Sequence, residues 1–263
     1  MSARGARLAS DLLAVDVGNS KVQAVLYLAG DERFRGRVEY DGAGRRPWSR
    51  AWADAVRVVR ELAPARTRVV VSSVAPRRAR VVEAALRRAG LRRLHRVAWD
   101  DRWPFRLDVL RPETLGVDRL ANVAGVMADA ERSAVVVDAG TAVTVDLLER
   151  GHLRGGLILP GFHLMARALH AHTAQLPLVD ASGYAPPFGD DTASALRAGI
   201  QSTLAHGLRG IVTALRRRLG PRAPVVFTGG HGERLGNLAR LAEARVEPDL
   251  LFRGLRLLAH RLR

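Results

Sequence analysis

The chain has 263 residues, 48% hydrophobic and 26% charged, which suffices for a large core and for two domains of ordinary size. The absence of cysteine excludes disulfides, a thiolate nucleophile and a cysteine-ligated metal. The formal net charge is +16, but all 42 basic residues except Lys21 are arginine and no aromatic residues alternate with them, so we interpret the charge as solvated surface and expect no nucleic-acid partner.

The apolar runs in the sequence argue against a membrane protein. Each is under ten residues long, whereas a membrane-spanning helix needs about 20. Basic and then apolar residues precede Asp16, but this acid interrupts the apolar segment too early for a signal peptide. We therefore expect a cytoplasmic protein without a membrane partner.

Hydrophobic periodicity in residues 1–112 predicts the order strand, strand, strand, helix, strand, helix, strand. The predicted strands are residues 12–16, 21–28 and 33–40, and the segments TRVVVSS and LHRVAW. The first helix has apolar positions three and four residues apart, at Trp48, Trp52, Val56 and Val59, and the second covers residues 76–89 and begins at Pro76. We predict that residues 1–112 form an amino-terminal half.

A crossover segment at residues 113–133 leads to a carboxy-terminal half at residues 134–263. Just before and within it, Pro112 and Thr114 predict the start of a helix whose first turns include Gly116, Asp118 and Arg119. The second half then repeats the plan of the first. Its predicted elements are the strands SAVVVDAG, AVTVDLLE and HLRGGLILP, a helix after Pro160, a long helix over residues 191–219, the buried strand APVVFTGG and further helices.

Two hairpin sequences, LLAVDVGNSKVQAVLY and AVVVDAGTAVTVDLL, indicate a duplication about 120 residues apart. Aligning them places Asp16 on Asp138, Gly18 on Gly140, and the pair 19–20 on the pair 141–142. The alternative is two unrelated Asp-Gly hairpin turns, which are common. Duplication is favoured because the surrounding strand order repeats as well.

A tight turn that begins Asp-x-Gly presents backbone N–H groups in a concave arrangement, and its glycine lets a phosphate approach. Asn19, Ser20 and Thr141 can donate further hydrogen bonds to phosphate oxygens. Asp16 and Asp138 are acceptors only, so beside phosphates they require a cation or its water shell. The alternative is that each acid caps its own turn. We expect the two hairpins to hold a triphosphate.

A third glycine-rich element, VVFTGGHGERLG, follows a buried strand near the end of the chain. A dinucleotide fingerprint would need its third glycine one residue before Gly236, so a Rossmann site is disfavoured. The adjacent Gly229 and Gly230, after Thr228, would instead let an adenine or a ribose lie against the backbone. The sequence contains no P-loop pattern, which leaves phosphate binding to the hairpins.

In combination these segments resemble the actin-like ATPase superfamily, and more closely the type III pantothenate kinases. The resemblance rests on DVGNS, PETLGVDR, DAGTAVTVD, GGLILPG, TAQLP, DTASALRAG and TGG. It implies an α/β fold of two duplicated ribonuclease-H-like domains, with mixed sheets flanked by helices. It also implies ATP-dependent phosphorylation of pantothenate to 4'-phosphopantothenate, the first step of coenzyme A biosynthesis. The implied assembly is a homodimer with the substrate pocket at its interface, and the implied metals are magnesium and a monovalent cation, potassium or ammonium.

The family motif Gly-x-Asp-Arg falls on residues 116–119 and makes Asp118 the candidate catalytic base. Phosphoryl transfer to an alcohol needs an acceptor for the hydroxyl proton. The alternative for Asp118 is an acid that complements the helix dipole or pairs with Arg119. Arg119 could offer a planar fork to the pantothenate carboxylate or to the transferring phosphate, and its alternative is one more surface arginine.

The remaining site residues are carried over from the same resemblance. The ATP-binding residues are Asp16, Val17, Gly18, Asn19, Ser20, Lys21, Val22, Gln23, Thr141, Gly229 and Gly230. The substrate-binding residues are Val109, Gly116, Val117, Asp118, Arg119 and Thr192. Asp138 would hold the monovalent cation and Asp16 would hold magnesium through water. Thr192 lies near the start of a predicted helix, and its alternative role is that of the helix N-cap.

Val109 departs from the family pattern, and the role of Lys21 within the first phosphate loop stays open. Val109 stands where the family often has a tyrosine that packs on the substrate, which leaves open a kinase of the same fold acting on another small hydroxy acid. Lys21 could reach a phosphate or be exposed on the second strand. From another class of function, the net charge raises the alternative of a kinase-derived regulatory or nucleic-acid-binding protein.

Overall fold

The computed structural model describes residues 11–40 and 48–262; the first ten residues, which entered the signal-peptide argument, lie outside these ranges. The strands are β1 (Leu12–Val17), β2 (Lys21–Leu28), β3 (Asp31–Glu39), β4 (Arg68–Ser73), β5 (Leu94–Arg96), β6 (Arg106–Leu107), β7 (Ala134–Ala139), β8 (Ala142–Glu149), β9 (His152–Pro160), β10 (Val225–Thr228) and β11 (Ala244–Val246). The helices are α1 (Trp48–Leu62), α2 (Pro76–Arg88), α3 (Val117–Met127), α4 (Phe162–Ala171), α5 (Thr192–Leu219), α6 (Gly232–Ala239) and α7 (Leu250–Arg261).

The chain forms two compact units. The first comprises the described residues up to Pro104, then Arg111–Ala128 and the described residues from Leu251 onward. The second comprises Phe105–Leu110 and Asp129–Leu250. The division into halves at residues 112 and 133 stays a prediction about the folding units.

The sheet of the first unit has the order β3-β2-β1-β4-β5, in which β1 is antiparallel to β2 and parallel to β4. Its core lies between the sheet and the helices α1 and α2, where Trp52, Val56 and Val59 from α1 are buried as the apolar spacing predicted. Both β1 and β4 are almost wholly buried, which explains why their sequences are continuous apolar runs rather than alternating ones.

The sheet of the second unit repeats this order as β9-β8-β7-β10-β11 and adds β6 beside β9. The burial pattern of β7 is identical, residue by residue, to that of β1, and the pattern of β8 is identical to that of β2. The mixed α/β class with two mixed sheets is therefore confirmed, and so is the repeated hairpin.

The alignment of the two turns is corrected by one residue. Asp16 pairs with Gln23 across the first hairpin, whereas Asp138 pairs with Thr144 across the second. The second turn is therefore one residue shorter, and Ala142 corresponds to Lys21 rather than to Ser20. A residue lost at a hairpin tip leaves the strand pairing behind it unchanged, so the sequence repeat alone does not reveal the loss.

Two other differences concern short elements. Pro112–Thr114 form one 3₁₀ turn, and the helix α3 begins at Val117 with Gly116 as its N-cap, so the predicted start at Pro112 is wrong. The strands β6 and β11 have two and three residues and were not predicted. Two or three residues are too few to show the alternating pattern of a strand. Only the pairing with β9 and β10 defines these two strands.

The last helix, α7, packs closely on α3. A side chain at Gly254 would overlap the backbone carbonyl of Ala121 and come within 2.9 Å of the Gly125 nitrogen. Arg256 also donates a hydrogen bond to the carbonyl oxygen of Gly30 (3.1 Å). These contacts place the final helix in the first unit.

Among the residues that the structure describes, none of the helices combines the length and the apolar character needed to cross a bilayer.

Candidate active site

The turn of the first hairpin, residues 18–21, is held by backbone hydrogen bonds. The N–H of Gly18 donates to the carbonyl of Lys21 (3.0 Å), and the N–H of Tyr40 donates to the carbonyl of Ser20 (2.9 Å). The side chains of Val17 and Val22 on either side are fully buried in the core. Any contact of these two valines with a nucleotide must therefore be made by their backbone.

Gly18 and its counterpart Gly140 are not required by the protein's own packing. A Cβ at Gly18 would meet its nearest neighbour, the Lys21 carbonyl, at 3.5 Å, and a Cβ at Gly140 would meet the Ala142 carbonyl at 3.6 Å, which are ordinary contact distances. Neither glycine has a positive φ. The same residue type thus recurs at equivalent turns where neither backbone strain nor crowding requires it, which points to a ligand in that space.

The motif Gly-x-Asp-Arg lies at the same edge of the first sheet as this turn. The parallel strands β1 and β4 end there, and the N–H of Val74 donates to the carbonyl of Val17 (3.3 Å). A Cβ at Gly116 would come within 3.4 Å of the Val74 side chain. The N-terminus of α3 is therefore brought to the carboxyl ends of β1 and β4, where ligands bind in open α/β sheets.

Asp118 is partly buried in the first turn of α3, and burial raises its pKa above the ordinary value for an aspartate. A hydrogen bond from the N–H of Arg119 (2.8 Å) and the charge of Arg119 act in the opposite direction, but desolvation is the larger effect. A carboxylate with a raised pKa is a better proton acceptor near neutral pH than a solvated one.

Gly116 makes room for this carboxylate, because a Cβ there would overlap Oδ1 of Asp118. Arg119 is only 9% exposed, so its interpretation as one more surface arginine is wrong. Val117 is the first residue of α3 and is partly exposed. The motif thus forms one local cluster, while the contact of each member with substrate stays a prediction.

In the second unit, Asp138 lies beside the glycine-rich element. Asp138 pairs with Thr228 across the parallel strands β7 and β10, and Thr228 is buried. A Cβ at Gly229 would overlap Oδ1 of Asp138 and come within 2.7 Å of the Ala139 carbonyl, and its φ is +86°. Gly229 is therefore required by the protein itself, whereas Gly230 is exposed with open space around it.

Gly161, just before α4, is a site residue that the sequence reasoning missed. Its N–H donates to the carbonyl of Thr141 (3.1 Å), and a Cβ there would come within 2.5 Å of the Gly140 carbonyl. The segment GGLILPG, which ends in Gly161, was part of the family resemblance, so the sequence contained a signal for this residue. Its contact with the second turn depends on tertiary structure and could not be predicted from the sequence.

Oxygen ligands suit the metals that the family resemblance implies. The carboxylate of Asp138 and the carbonyl of Ala139 both line the position of Gly229, and hard cations bind carboxylate and carbonyl oxygens. No group of three or more His, Cys, Asp or Glu side chains in residues 11–40 and 48–262 could hold a metal alone. Asp16 therefore fits magnesium only in the usual way for phosphate enzymes, with water and phosphate oxygens completing the shell.

Thr192 and Val109 belong to the second unit. Thr192 is the first residue of α5, but the N-cap is Asp191, whose side chain accepts from the N–H of Ser194 (2.6 Å) in a capping box. The alternative role for Thr192 is therefore wrong. Thr192 lines an apolar groove of about 430 Å³ between α4 and α5, and Val109 lies over Gly155 on β9.

A second cavity, of about 360 Å³, lies near the glycine-rich element and was not predicted. His163, Arg167, Leu178, Val179 and Asp180 line it. The ring of His163 is 5.1 Å from that of His231, which follows Gly230 directly. His163 and His231 come from different elements, so no spacing in the sequence marks this pair as a site.

Taken together, the repeated sheets and the matched Asp-x-Gly turns define the duplicated α/β fold of the actin-like ATPases. Solved structures agree with this fold. A protein from Campylobacter jejuni described as a Baf family transcriptional activator superposes with a TM-score of 0.57 at 19% identity, covering 94% of this chain and 96% of that one. A ROK family transcriptional regulator, a homologue of the E. coli MLC protein, superposes with a TM-score of 0.51 at 9% identity, covering 97% and 79%. Identities this low show the fold alone.

Sequence comparison narrows the class to a family. The family described as type III pantothenate kinase matches residues 12–214. The type III pantothenate kinase of Fervidobacterium nodosum is 31% identical over 186 residues, 71% of this chain and 73% of the relative. Those of Thermosipho melanesiensis and Kosmotoga olearia are 38% and 35% identical, but the matched regions span only 49% and 59% of those relatives. The chain belongs to the type III pantothenate kinase family.

Proposed function

We propose that this protein transfers the γ-phosphate of ATP to the terminal hydroxyl of pantothenate and releases 4'-phosphopantothenate. The observation that carries the proposal is the pair of equivalent glycines, Gly18 and Gly140, that no contact within the described protein requires. Membership of the type III pantothenate kinase family supports pantothenate as the acceptor.

Asp118 is the proposed general base. Its raised pKa lets it take the hydroxyl proton as the phosphoryl group is transferred, and its hydrogen bond from the Arg119 N–H holds it in place. Arg119 is proposed to bind the pantothenate carboxylate or the transferring phosphate through its planar fork. Thr192 and Val109 are proposed to contact pantothenate.

For ATP, residues 16–23 and Thr141 are proposed to contact the phosphates, and Gly229 and Gly230 the adenosine. Magnesium bound to the phosphates would supply charge neutralisation, and Asp16 would hold it through water. Asp138 is proposed to bind potassium or ammonium. A homodimer that completes the substrate pocket and a cytoplasmic location are further parts of the proposal.

The direct test is to incubate purified protein with ATP, magnesium, pantothenate and either potassium or ammonium. The expected product is 4'-phosphopantothenate, identified by mass spectrometry. ATP binding without this product would reject pantothenate as the acceptor. A panel of small hydroxy acids then tests the second candidate, a kinase of another acceptor, which the small side chain of Val109 in place of a tyrosine permits.

The role of the turns is tested with Gly18→Ala. Because a Cβ is tolerated there by the protein, we expect an unchanged melting temperature but a KM for ATP about tenfold higher, since the added methyl occupies the space of the phosphate. Gly210→Ala on α5 is the matched control, because a Cβ there meets no atom within 4 Å and is likewise tolerated by the protein. Equal ATP affinity in both variants would contradict the assignment.

A further inference from the structure

Arg78, on the first turn of α2, contacts the turn of the first hairpin, residues 18–21. This turn is proposed to bind the phosphates of ATP and is called the first phosphate turn. Its Nη1 donates a hydrogen bond to the carbonyl oxygen of Asn19 (2.7 Å). Its guanidinium also lies over the ring of Tyr40, 4.1 Å from the centroid. The Arg78 side chain forms no other hydrogen bond with the described residues, so it is committed to the turn and to the ring.

Tyr40 holds the same turn at the next carbonyl. Its N–H donates to the carbonyl of Ser20 (2.9 Å), and its ring makes an edge contact with Trp48 (centroids 5.0 Å apart). Burial raises the pKa of Tyr40 to about 12, so the ring stays neutral and keeps the electron-rich face that attracts a guanidinium. Arg78 and Tyr40 thus tie back two consecutive carbonyls of one turn.

A held carbonyl orients the rest of its peptide. The peptide unit is planar and trans, so its C=O and N–H point in opposite directions. Fixing the Asn19 carbonyl on the side of Arg78 fixes the N–H of Ser20 on the other side. A turn that binds an anion depends on the directions of its N–H groups, because they form the concave surface that receives the phosphate.

The second unit shows which carbonyl of the first turn needs a side chain for this purpose. Its Thr141 carbonyl accepts from the N–H of Gly161 just as the Ser20 carbonyl accepts from the N–H of Tyr40, and each donor directly follows its strand, β9 or β3. The second turn is one residue shorter, and Asn19, whose carbonyl Arg78 holds, is the additional residue of the first turn. Ser72 pairs with Asp16 and Thr228 pairs with Asp138, so Ser72 and Thr228 are equivalent positions in the two units. Arg78 and Arg234 are equivalent in turn, because each is the third residue of the helix that follows, α2 or α6. Arg234 instead donates to the carbonyl of Gly183 (2.8 Å). An arginine at this place in the repeat therefore holds a loop carbonyl in both units, but only Arg78 holds a phosphate turn.

We propose that Arg78 is a positioning residue for ATP, which acts through the Asn19 carbonyl and with Tyr40 to set the shape of the first phosphate turn. The inference rests on the proposed function in that it assigns this turn to the phosphates of ATP. Arg78 is not among the residues that the family resemblance assigned, and its stacking on Tyr40 gives it a geometry that lysine cannot reproduce.

The test compares Arg78→Gln with Arg80→Gln. The second variant removes the same charge from the same helix at an exposed position, where the side chain forms no hydrogen bond with the described residues. We expect Arg78→Gln to raise the KM for ATP about tenfold, equivalent to about 1.4 kcal/mol. We expect kcat and the KM for pantothenate to stay within about twofold of wild type, and the melting temperature to stay within about a few degrees. Arg78→Lys should recover part of the loss, because lysine can still donate to the carbonyl. Arg80→Gln should behave as wild type.

Equal ATP KM in Arg78→Gln and Arg80→Gln overturns the inference. So does a general loss of melting temperature with equal effects on both substrates, which would mean a structural role only. A double-mutant cycle with Tyr40→Leu adds a second criterion, since additive effects on ATP affinity would disprove the coupling.

Calorimetric titration with ADP separates this inference from the proposed function. A weaker ADP affinity in Arg78→Gln supports Arg78 even if the wild-type protein does not phosphorylate pantothenate. Failure of the wild-type protein to bind ADP would overturn both.

Discussion

Replacing Asp118 with asparagine tests the assignment of the base with the least change in shape. The amide oxygen can still accept the hydrogen bond from the Arg119 N–H, and the side-chain volume is unchanged, so positioning is retained and only proton acceptance is lost. General-base catalysis contributes about 10²- to 10⁴-fold, so we expect kcat to fall by that factor, which is about 3–5 kcal/mol of barrier.

The structure also predicts the direction in which Asp118→Asn changes the stability of the protein. Burial raises the folded-state pKa of Asp118, so the folded protein binds the proton more tightly than the unfolded chain, and stability falls as pH rises from the ordinary aspartate pKa through the raised one. At neutral pH the charged carboxylate therefore costs stability. We expect Asp118→Asn to have a melting temperature equal to or above that of the wild-type protein at pH 7.

The assay combines kcat, calorimetric ADP affinity and thermal unfolding, with Glu113→Gln as the control because Glu113 is an exposed acid on the preceding 3₁₀ turn. The wild-type profile of kcat against pH should fall on the acidic side, below a pKa higher than that of a solvated aspartate, and the variant should lack this limb. Wild-type turnover in Asp118→Asn, or a loss equal to that in Glu113→Gln, would refute the reasoning.

The remaining predictions concern three other contacts. Gly116→Ala should lower kcat about tenfold or more with little change in ATP affinity, because the Cβ displaces the carboxylate of Asp118; an unchanged kcat would show that this carboxylate can move freely. Asp138→Asn should abolish the activation of turnover by potassium or ammonium, measured by titrating either salt; activation that persists would remove Asp138 as the cation ligand. Gly254→Ala should lower the free energy of unfolding by about 1–3 kcal/mol in urea titrations, because the methyl overlaps the α3 backbone at Ala121; an unchanged midpoint would contradict the packing of α7 on α3.

Several features of the site could be predicted from the sequence because they depend on local pattern. The two hairpins were identified from apolar runs interrupted by Asp-x-Gly, and their strands pair in the expected order. Apolar spacing in α1 identified its buried face, since a helix repeats every 3.6 residues. The motif at residues 116–119 was identified by resemblance, and the structure brings its members to one helix N-terminus.

The sequence by itself determined the repeated strands and the two Asp-x-Gly turns, because neighbouring residues and their periodicity specify those features. Only the tertiary structure decided which glycines the protein itself requires, since that depends on atoms from distant segments that approach Gly229 but leave Gly18 open. It also decided the burial of Arg119 and Asp118 and the contact of Arg78 with Asn19. One surface arginine resembles another in sequence, and packing alone decides which of them reaches a phosphate turn.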